Sequence, residues 1–263
     1  MDLGLKDKVA FVAASSKGLG YGIAEALAQD GAKVLLGSRT EADIQAAAKR
    51  LAAETGSEVI GHPLDATSAA SIANWVQAGL DHFGRVDCLL VNAGGPPAGN
   101  FDDFDDVAWQ AAFELTLLSS ARMIRAVLPS MRQQGGGSIL AVTSASTKEP
   151  IDFLLLSNVM RSGVVSLLKS LSHQLAPENI RVNNLVPGRI DTDRVKSLDN
   201  INSKKQGISV AEFKASVEAS IPLRRYGTIQ EFGKAGAFLL SDAASYITGE
   251  TFIVDGGTMK TVW

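Results

Sequence analysis

The apolar positions of this chain fall into short, nearly unbroken runs, separated by longer stretches in which they recur at helical spacing. The runs Val9–Ala13, Lys33–Gly37, Val59–His62, Cys88–Val91, Ser138–Val142, Arg181–Val186 and Phe252–Val254 predict seven strands. Runs with few polar alternates suit strands covered on both faces, and the helices between them supply the cover. Connections of this length enforce parallel neighbours. The pattern therefore predicts an α/β fold, a doubly wound seven-stranded parallel sheet with helices on both faces, in a single domain over residues 1–263. Thr40-Glu41-Ala42-Asp43 predicts a helix start, a Thr cap with acids in the first turn, and Gly31 and Gly56 fall where helices should stop. Residues 189–221 break the rhythm: they are polar, mixed in charge and without a strand signal. In a compact domain such an insertion predicts a lid or substrate loop.

With 263 residues, 46% hydrophobic and 20% charged, the chain can bury one large core. The formal net charge of −3 and the lack of a long basic run argue against nucleic acid or an anionic membrane as partner, leaving a small-molecule substrate as the expectation. The single cysteine, Cys88, cannot form an internal disulfide and lies in an apolar run, which suits a reducing compartment. No stretch has the length of a membrane span, and residues 1–8 lack the apolar core of a signal peptide. A cytoplasmic protein is expected. No metal-ligating cluster is read from the sequence.

Ala13-Ala14-Ser15-Ser16-Lys17-Gly18-Leu19-Gly20 follows the first strand and opens a helix. Glycines there let the backbone approach a dinucleotide pyrophosphate, and the helix N-terminus supplies unpaired N–H groups and partial positive charge. Ser16, Lys17, Gly18, Leu19 and Gly20 are the candidate contacts. About twenty residues on, where an acid would bind the ribose 2′-hydroxyl of NAD, the chain has Ser38-Arg39. Without a carboxylate to repel a 2′-phosphate, and with Arg39 and Lys17 able to pair one, NADP(H) is expected ahead of NAD(H). The bland alternative is that both cations are solvated surface groups.

Together with Asn92-Ala93-Gly94 and Pro187-Gly188-Arg189-Ile190-Asp191-Thr192, the glycine turn resembles the motifs of the short-chain dehydrogenase/reductase family, nearest to the 3-oxoacyl-acyl-carrier-protein reductase type, over Lys8–Gly257. The resemblance implies a Rossmann fold and a carbonyl or alcohol substrate. It assigns Asp65 to the adenine, Asn92, Ala93 and Gly94 to the turn after the fourth strand, and Pro187, Gly188, Ile190 and Thr192 to the loop that holds the nicotinamide carboxamide. An ordinary Asx turn also accounts for Asp65. The family's first glycine is Ala14 here, which is strained if the position needs a positive φ and otherwise only narrows the pocket.

The family's catalytic residues are an Asn, a Ser, a Tyr and a Lys. Those positions are matched here by Thr116, Ser144, Ser157 and Arg161, so three of the four differ. The i, i+4 spacing places Ser157 and Arg161 on one helix face. An aliphatic hydroxyl cannot serve as a tuned acid as a phenol does, and a guanidinium stabilises an oxyanion but does not relay a proton. Lys148, Glu149 and Asp152 are possible substitute acids, against a plain surface-loop reading. Tyr226 and Tyr246 sit in segments the family uses for packing, and His173 is expected to face solvent. Three functions remain open: an NADP(H)-dependent oxidoreductase with a degenerate tetrad, a catalytically silent dinucleotide binder, and a non-redox enzyme using the same cleft. The resemblance implies a homotetramer, since family members commonly pair their fourth and fifth helices, and Leu115–Leu128 and Phe153–Leu175 are apolar on more than one face, more than a monomer needs. Lys196, Lys204, Lys205 and Lys214 hint at an acidic carrier, against a solvated helix face.

Overall fold

A computed structural model describes residues 2–262, so Met1 and Trp263 lie outside the described residues. Seven parallel strands form one sheet: β1 (Val9–Ala13), β2 (Lys33–Ser38), β3 (Val59–Pro63), β4 (Cys88–Val91), β5 (Gly137–Val142), β6 (Ile180–Pro187) and β7 (Thr251–Val254). Their order is β3-β2-β1-β4-β5-β6-β7. Every predicted strand is present, with ends shifted by a residue at most. The order reverses between β1 and β4, and beyond the carboxyl ends of these strands lies the crevice where such sheets bind ligands.

The two faces carry separate cores. Ala10 and Val12 of β1 point to one, with Ile23 and Leu27 of helix α1 (Gly18–Gln29), Ile44 and Leu51 of α2 (Glu41–Thr55) and Phe232 of α9 (Ile229–Leu240). Phe11 and Ala13 point to the other, with Trp75 of α3 (Ala69–Phe83), Met123 and Val127 of α5 (Ser119–Gln133) and Val164 and Leu168 of α6 (Leu155–Leu175). The period of two along a strand that is buried throughout divides it between the cores. Edge strand β7, by contrast, is only half-buried.

Local signals account for the helix ends. Gly56 and Gly84 stop α2 and α3 in the left-handed region, at φ 72° and 77°. Gly31, at φ 85°, follows α1 as expected. The segment predicted as a lid contains two helices, α7 (Asp193–Gln206) and α8 (Val210–Ser220). Thr192 caps the first through the Val195 amide, and Ser209 with Glu212 makes a reciprocal capping box on the second. Between α4 (Asp106–Ala112) and α5 the backbone widens into a π-helical stretch, Phe113–Leu118. Among the described residues no helix is long and apolar enough to cross a membrane.

Helices α1 and α9 touch backbone to backbone. A Cβ on Gly22 would lie 2.3 Å from Ile229 Cγ2, and one on Gly233 would lie 2.2 Å from the Gly22 carbonyl oxygen. Only glycine permits that approach.

Candidate functional site

The glycine turn joins the end of β1 to α1. Its fold depends on Ser15, fully buried, whose hydroxyl donates to the Val12 carbonyl at 2.7 Å and accepts from the Gly37 amide at 3.0 Å. Sequence reasoning passed over Ser15; its burial in an apolar context was the available signal. Ala14 sits at φ +50°, so this position does require the left-handed region and the alanine there is strained. A Cβ on Gly20 would lie 2.4 Å from the Ala14 carbonyl oxygen, while Gly18, at φ +65°, faces open space. Lys17 is the N-cap of α1 and makes no side-chain cap. The first amides of α1 therefore keep no side-chain partner at the cap, as an anion cradle needs. Ser16 and Leu19 are half-buried in the turn, Leu19 packing against the core.

Of the two cations beside this turn, Lys17 has a partner: it pairs with Asp193 of α7 at 3.1 Å, both exposed, which links the glycine turn to the first turn of α7. Arg39 is exposed. The Asp65 carboxyl is held below the usual range by the Thr67 amide and hydroxyl, and further by the Arg39 charge. Asp65 Oδ1 accepts both Thr67 bonds, at 2.9 and 2.8 Å, so the Asx-turn alternative describes this carboxylate. The Ser38 hydroxyl, at the end of β2, is buried without a partner.

Ser144 follows β5 and begins a short 3₁₀ turn. Its Oγ accepts from the Ser146 amide at 3.1 Å and keeps its own proton to donate. Ser157 and Arg161 lie in the first turns of α6, as their spacing predicts. Arg161 Nε donates to Ser157 Oγ at 3.2 Å, and Nη1 donates to the carbonyls of Val142 and Thr143 at 3.0 and 3.2 Å. The guanidinium is thus clamped to the end of β5, the strand that leads into Ser144. Burial, and then the charge of Arg194, push Arg161 down to about 10, below the level expected from its sequence alone yet still protonated at neutral pH.

Thr116 lies in the π-helical stretch, buried, with its hydroxyl unpartnered. It shares a small cavity of about 10 Å³ with Asn92, Ala93, Gly94, Val142, Thr143 and Arg161, room for about one water. The structure therefore brings Thr116, Arg161 and the Asn92–Gly94 turn together. Extra backbone width at such a stretch is a recurrent device at functional sites.

On the far side of the crevice, Gly188 packs so close to Asp255 that a Cβ would lie 2.5 Å from its Cα. Thr192 is buried as the α7 cap, and Pro187 is half-buried at the end of β6. Ile190 is buried in the core, where a Cβ on Gly227 would meet its Cδ1 at 2.7 Å, so its backbone alone remains for a ligand.

None of the substitute acids enters the crevice as a donor. Lys148, Glu149 and Asp152 are exposed, and Glu149 accepts from the Lys260 amide at 3.2 Å. Tyr226 donates to buried Asp199 at 3.0 Å, and burial raises its pKa. Tyr246, expected to pack, is fully exposed because it sits in the turn after α9. His173 faces solvent as predicted. Of the insertion lysines, Lys196 and Lys214 pair with Asp191 at 3.4 and 3.7 Å and Lys205 lies 3.5 Å over the Phe153 ring. These contacts favour the ordinary surface reading over a carrier-binding face. Arg194, missed in the sequence, stands on α7 opposite Arg161: a Cβ on Gly95 would lie 3.8 Å from Arg194 Nη2 and 3.9 Å from Arg161 Nη2. Among the described residues no group of His, Cys, Asp and Glu could hold a metal ion.

A family model for enoyl-(acyl carrier protein) reductases matches residues 13–259. A rabbit (Oryctolagus cuniculus) protein, dehydrogenase/reductase SDR family member 4, is 36% identical over 254 residues, covering 96% of this chain and 94% of its own. The L-sorbose reductase of Gluconobacter frateurii, solved with NADPH and L-sorbose, superposes with a TM-score of 0.95 at 30% identity over the full length of both chains. An NADPH-bound short-chain oxidoreductase of Pseudomonas aeruginosa PAO1 containing an atypical catalytic center superposes with a TM-score of 0.88 at 26% identity, covering 98% of this chain and 100% of that one. With the family model matching residues 13–259 and the rabbit relative 36% identical over 96% of the chain, the chain belongs to the short-chain dehydrogenase/reductase family of oxidoreductases.

Proposed function

We propose that this protein is an NADP(H)-dependent reductase of a carbonyl substrate, working through a clamped guanidinium in place of a phenol. The observation that carries the reading is Arg161, fixed by Ser157 and by the Val142 and Thr143 carbonyls so that Nη2 is left toward Gly95 and the crevice. The cradle fits a dinucleotide: the opening at Gly18 and Gly94 is clear of neighbouring atoms, and the first amides of α1 lack a side-chain cap. The L-sorbose reductase and the P. aeruginosa oxidoreductase are both NADPH-bound, which supports NADPH as the cofactor here. The end of β2 offers Arg39 and no acid, which supports the same preference. When bound, NADPH supplies a hydride to the carbonyl carbon.

Ser144 donates to the carbonyl oxygen, and Arg161 stabilises the negative charge that develops there as the C=O π bond breaks. The proton that completes the alcohol comes from water, because neither Ser157 nor Arg161 is an acid at working pH. Thr116, beside a cavity for one water, keeps that water near Arg161. Omission of a tuned acid costs about 10²–10⁴ in rate, whereas positioning contributes about 7–11 kcal/mol, so the reaction proceeds slowly without it. In this reading residues 189–221, which bring Asp193 to Lys17 and Arg194 toward Gly95, serve as the substrate loop. Exposed Phe101, Val107 and Val159, on or beside the helices α4 and α6, support assembly as a homotetramer, which light scattering at micromolar concentration tests.

A second reading, a dinucleotide binder without turnover, draws support from the strain at Ala14 and from Tyr226 being held by Asp199. Cofactor fluorescence titration beside a broad carbonyl panel separates the two. Turnover of any carbonyl with NADPH supports the reductase; tight NADPH binding with no turnover across the panel supports the binder.

A further inference from the structure

Arg161 and Arg194 come from α6 and α7, elements that approach each other only across the crevice. Their Nη2 atoms stand 3.9 and 3.8 Å from where a Cβ on Gly95 would be, so both guanidinium groups turn toward one spot. The acids of this rim are used elsewhere: Asp193 holds Lys17, Asp199 holds Arg189 and Asp191 holds Lys196. Among the described residues neither Arg161 nor Arg194 joins an ion pair. Two like charges facing one another disfavour each other, and burial adds to the cost for Arg161, which is pushed down to about 10. An arrangement of this kind is relieved by an anion between the two groups: Arg194, whose fork has no partner among the described residues, can take a carboxylate in bidentate fashion, while Arg161, with Nε and Nη1 already bonded, adds a single bond from Nη2.

Resting on the reductase reading of the same crevice, we propose that Arg161 and Arg194 form a subsite for a substrate carboxylate, so that the substrate is an oxo acid whose ketone lies beside Ser144. The overall change is then carbonyl to alcohol, with one hydride from NADPH, one proton from water, and the carboxylate unchanged. Arg194 is exposed on the first turn of α7, with Nη2 already beside Gly95, so an anion can reach it from solvent. Arg161 is held by β5 whether or not the lid moves.

The test titrates 2-, 3- and 4-oxo acids and their methyl esters calorimetrically into the full chain saturated with NADPH. It also titrates NADPH alone, and repeats both with Arg194→Gln and Arg194→Lys. At least one acid should bind tenfold or more tightly than its ester. Arg194→Gln should remove most of that difference, and Arg194→Lys, which keeps charge but not the fork, should retain part of it. Equal binding of acid and ester, or no binding of any acid, overturns the carboxylate subsite. So does an Arg194→Gln variant that weakens NADPH while leaving acid affinity intact, since the anion would then be a cofactor phosphate. A chain that fails to bind NADPH at all overturns the reductase reading and this one together, whereas reduction of neutral carbonyls without preference for acids overturns this one alone.

Discussion

Arg161 Nε donates to Ser157 Oγ at 3.2 Å across one turn of α6, so the two residues that the sequence resemblance sets at the family's acid and lysine positions are bonded to each other. The bond fixes the guanidinium and uses a lone pair of the hydroxyl. It also ties the behaviour of the two positions: changing one alters the orientation of the other.

The double change Ser157→Tyr with Arg161→Lys should restore a proton donor of tuned pKa and raise carbonyl reduction by about 10²-fold or more. Ser157→Tyr alone should gain less, because Arg161 lacks the compact ammonium, and because Ser157 is buried and a ring there displaces the guanidinium. Steady-state rates on a responsive carbonyl, with NADPH binding checked in parallel, decide it. No gain from the double variant would mean the crevice differs from its relatives in more than its acid.

Cofactor choice is tested at Arg39. NADPH should bind more tightly than NADH, and Arg39→Ala should remove most of the difference with little change in NADH affinity. Fluorescence titration of both cofactors measures it; equal affinities in the unmutated chain would sink the expectation. Lys17→Ala should have a smaller effect, since its ammonium is paired with Asp193.

Ala14→Gly should stabilise the fold by about 0.5–1 kcal/mol, the relief of left-handed strain less the added flexibility of the unfolded chain. In a domain of this size that corresponds to roughly 2 °C in Tm. Thermal melts of the two proteins give the answer, and a lower Tm for the variant would mean that the Ala14 methyl packs usefully.

Tyr226→Phe removes the hydroxyl that donates to buried Asp199, which also accepts from Arg189 at 3.1 Å. The expected loss is about 1–3 kcal/mol, because Asp199 keeps its burial and loses a donor. Denaturant titration measures the loss, and limited proteolysis should show earlier cleavage within α7 and α8.

Cys88 should resist alkylation. Burial pushes its thiol up to about 12, and Sγ lies 3.5 Å from the Leu240 carbonyl oxygen. The thiolate is the reactive form, so labelling by iodoacetamide should be negligible from pH 7 to 9 in the folded chain and rapid once urea unfolds it. Labelling of native protein at the unfolded rate would refute the placement.

The fold was legible in the sequence almost throughout, because buried parallel strands write themselves as apolar runs and because Gly31 and Gly56 fall where helices end and the chain turns left-handed. The placement of Ser144 after β5 and of Ser157 and Arg161 one turn apart on α6 was legible too, since it follows from one strand and one helix; their roles remain a proposal. Contacts between distant segments were not legible. Nothing near Lys17 announces Asp193, and Arg194 reads as one more polar residue in a charged insertion until α7 turns it toward Gly95. The two helices of residues 189–221 were not read, because their apolar period is weak; the cap residues Thr192 and Ser209 with Glu212 carried the signal that was passed over. Tyr246 misled because the motif around it belongs to a turn rather than to the core.

Gly22 and Gly233 let α1 and α9 meet at backbone distance, which means that the helix carrying the glycine turn is braced by an element far from it along the chain. α9 is synthesised after α1, β1, β2 and α2. Until Ile229–Leu240 has emerged, the side of α1 that carries Gly22 is uncovered, while β1, β2 and α2 already hold the other. If the glycine turn holds a dinucleotide as proposed, a chain ending before Thr228 lacks this brace and should bind NADPH more weakly than the full chain.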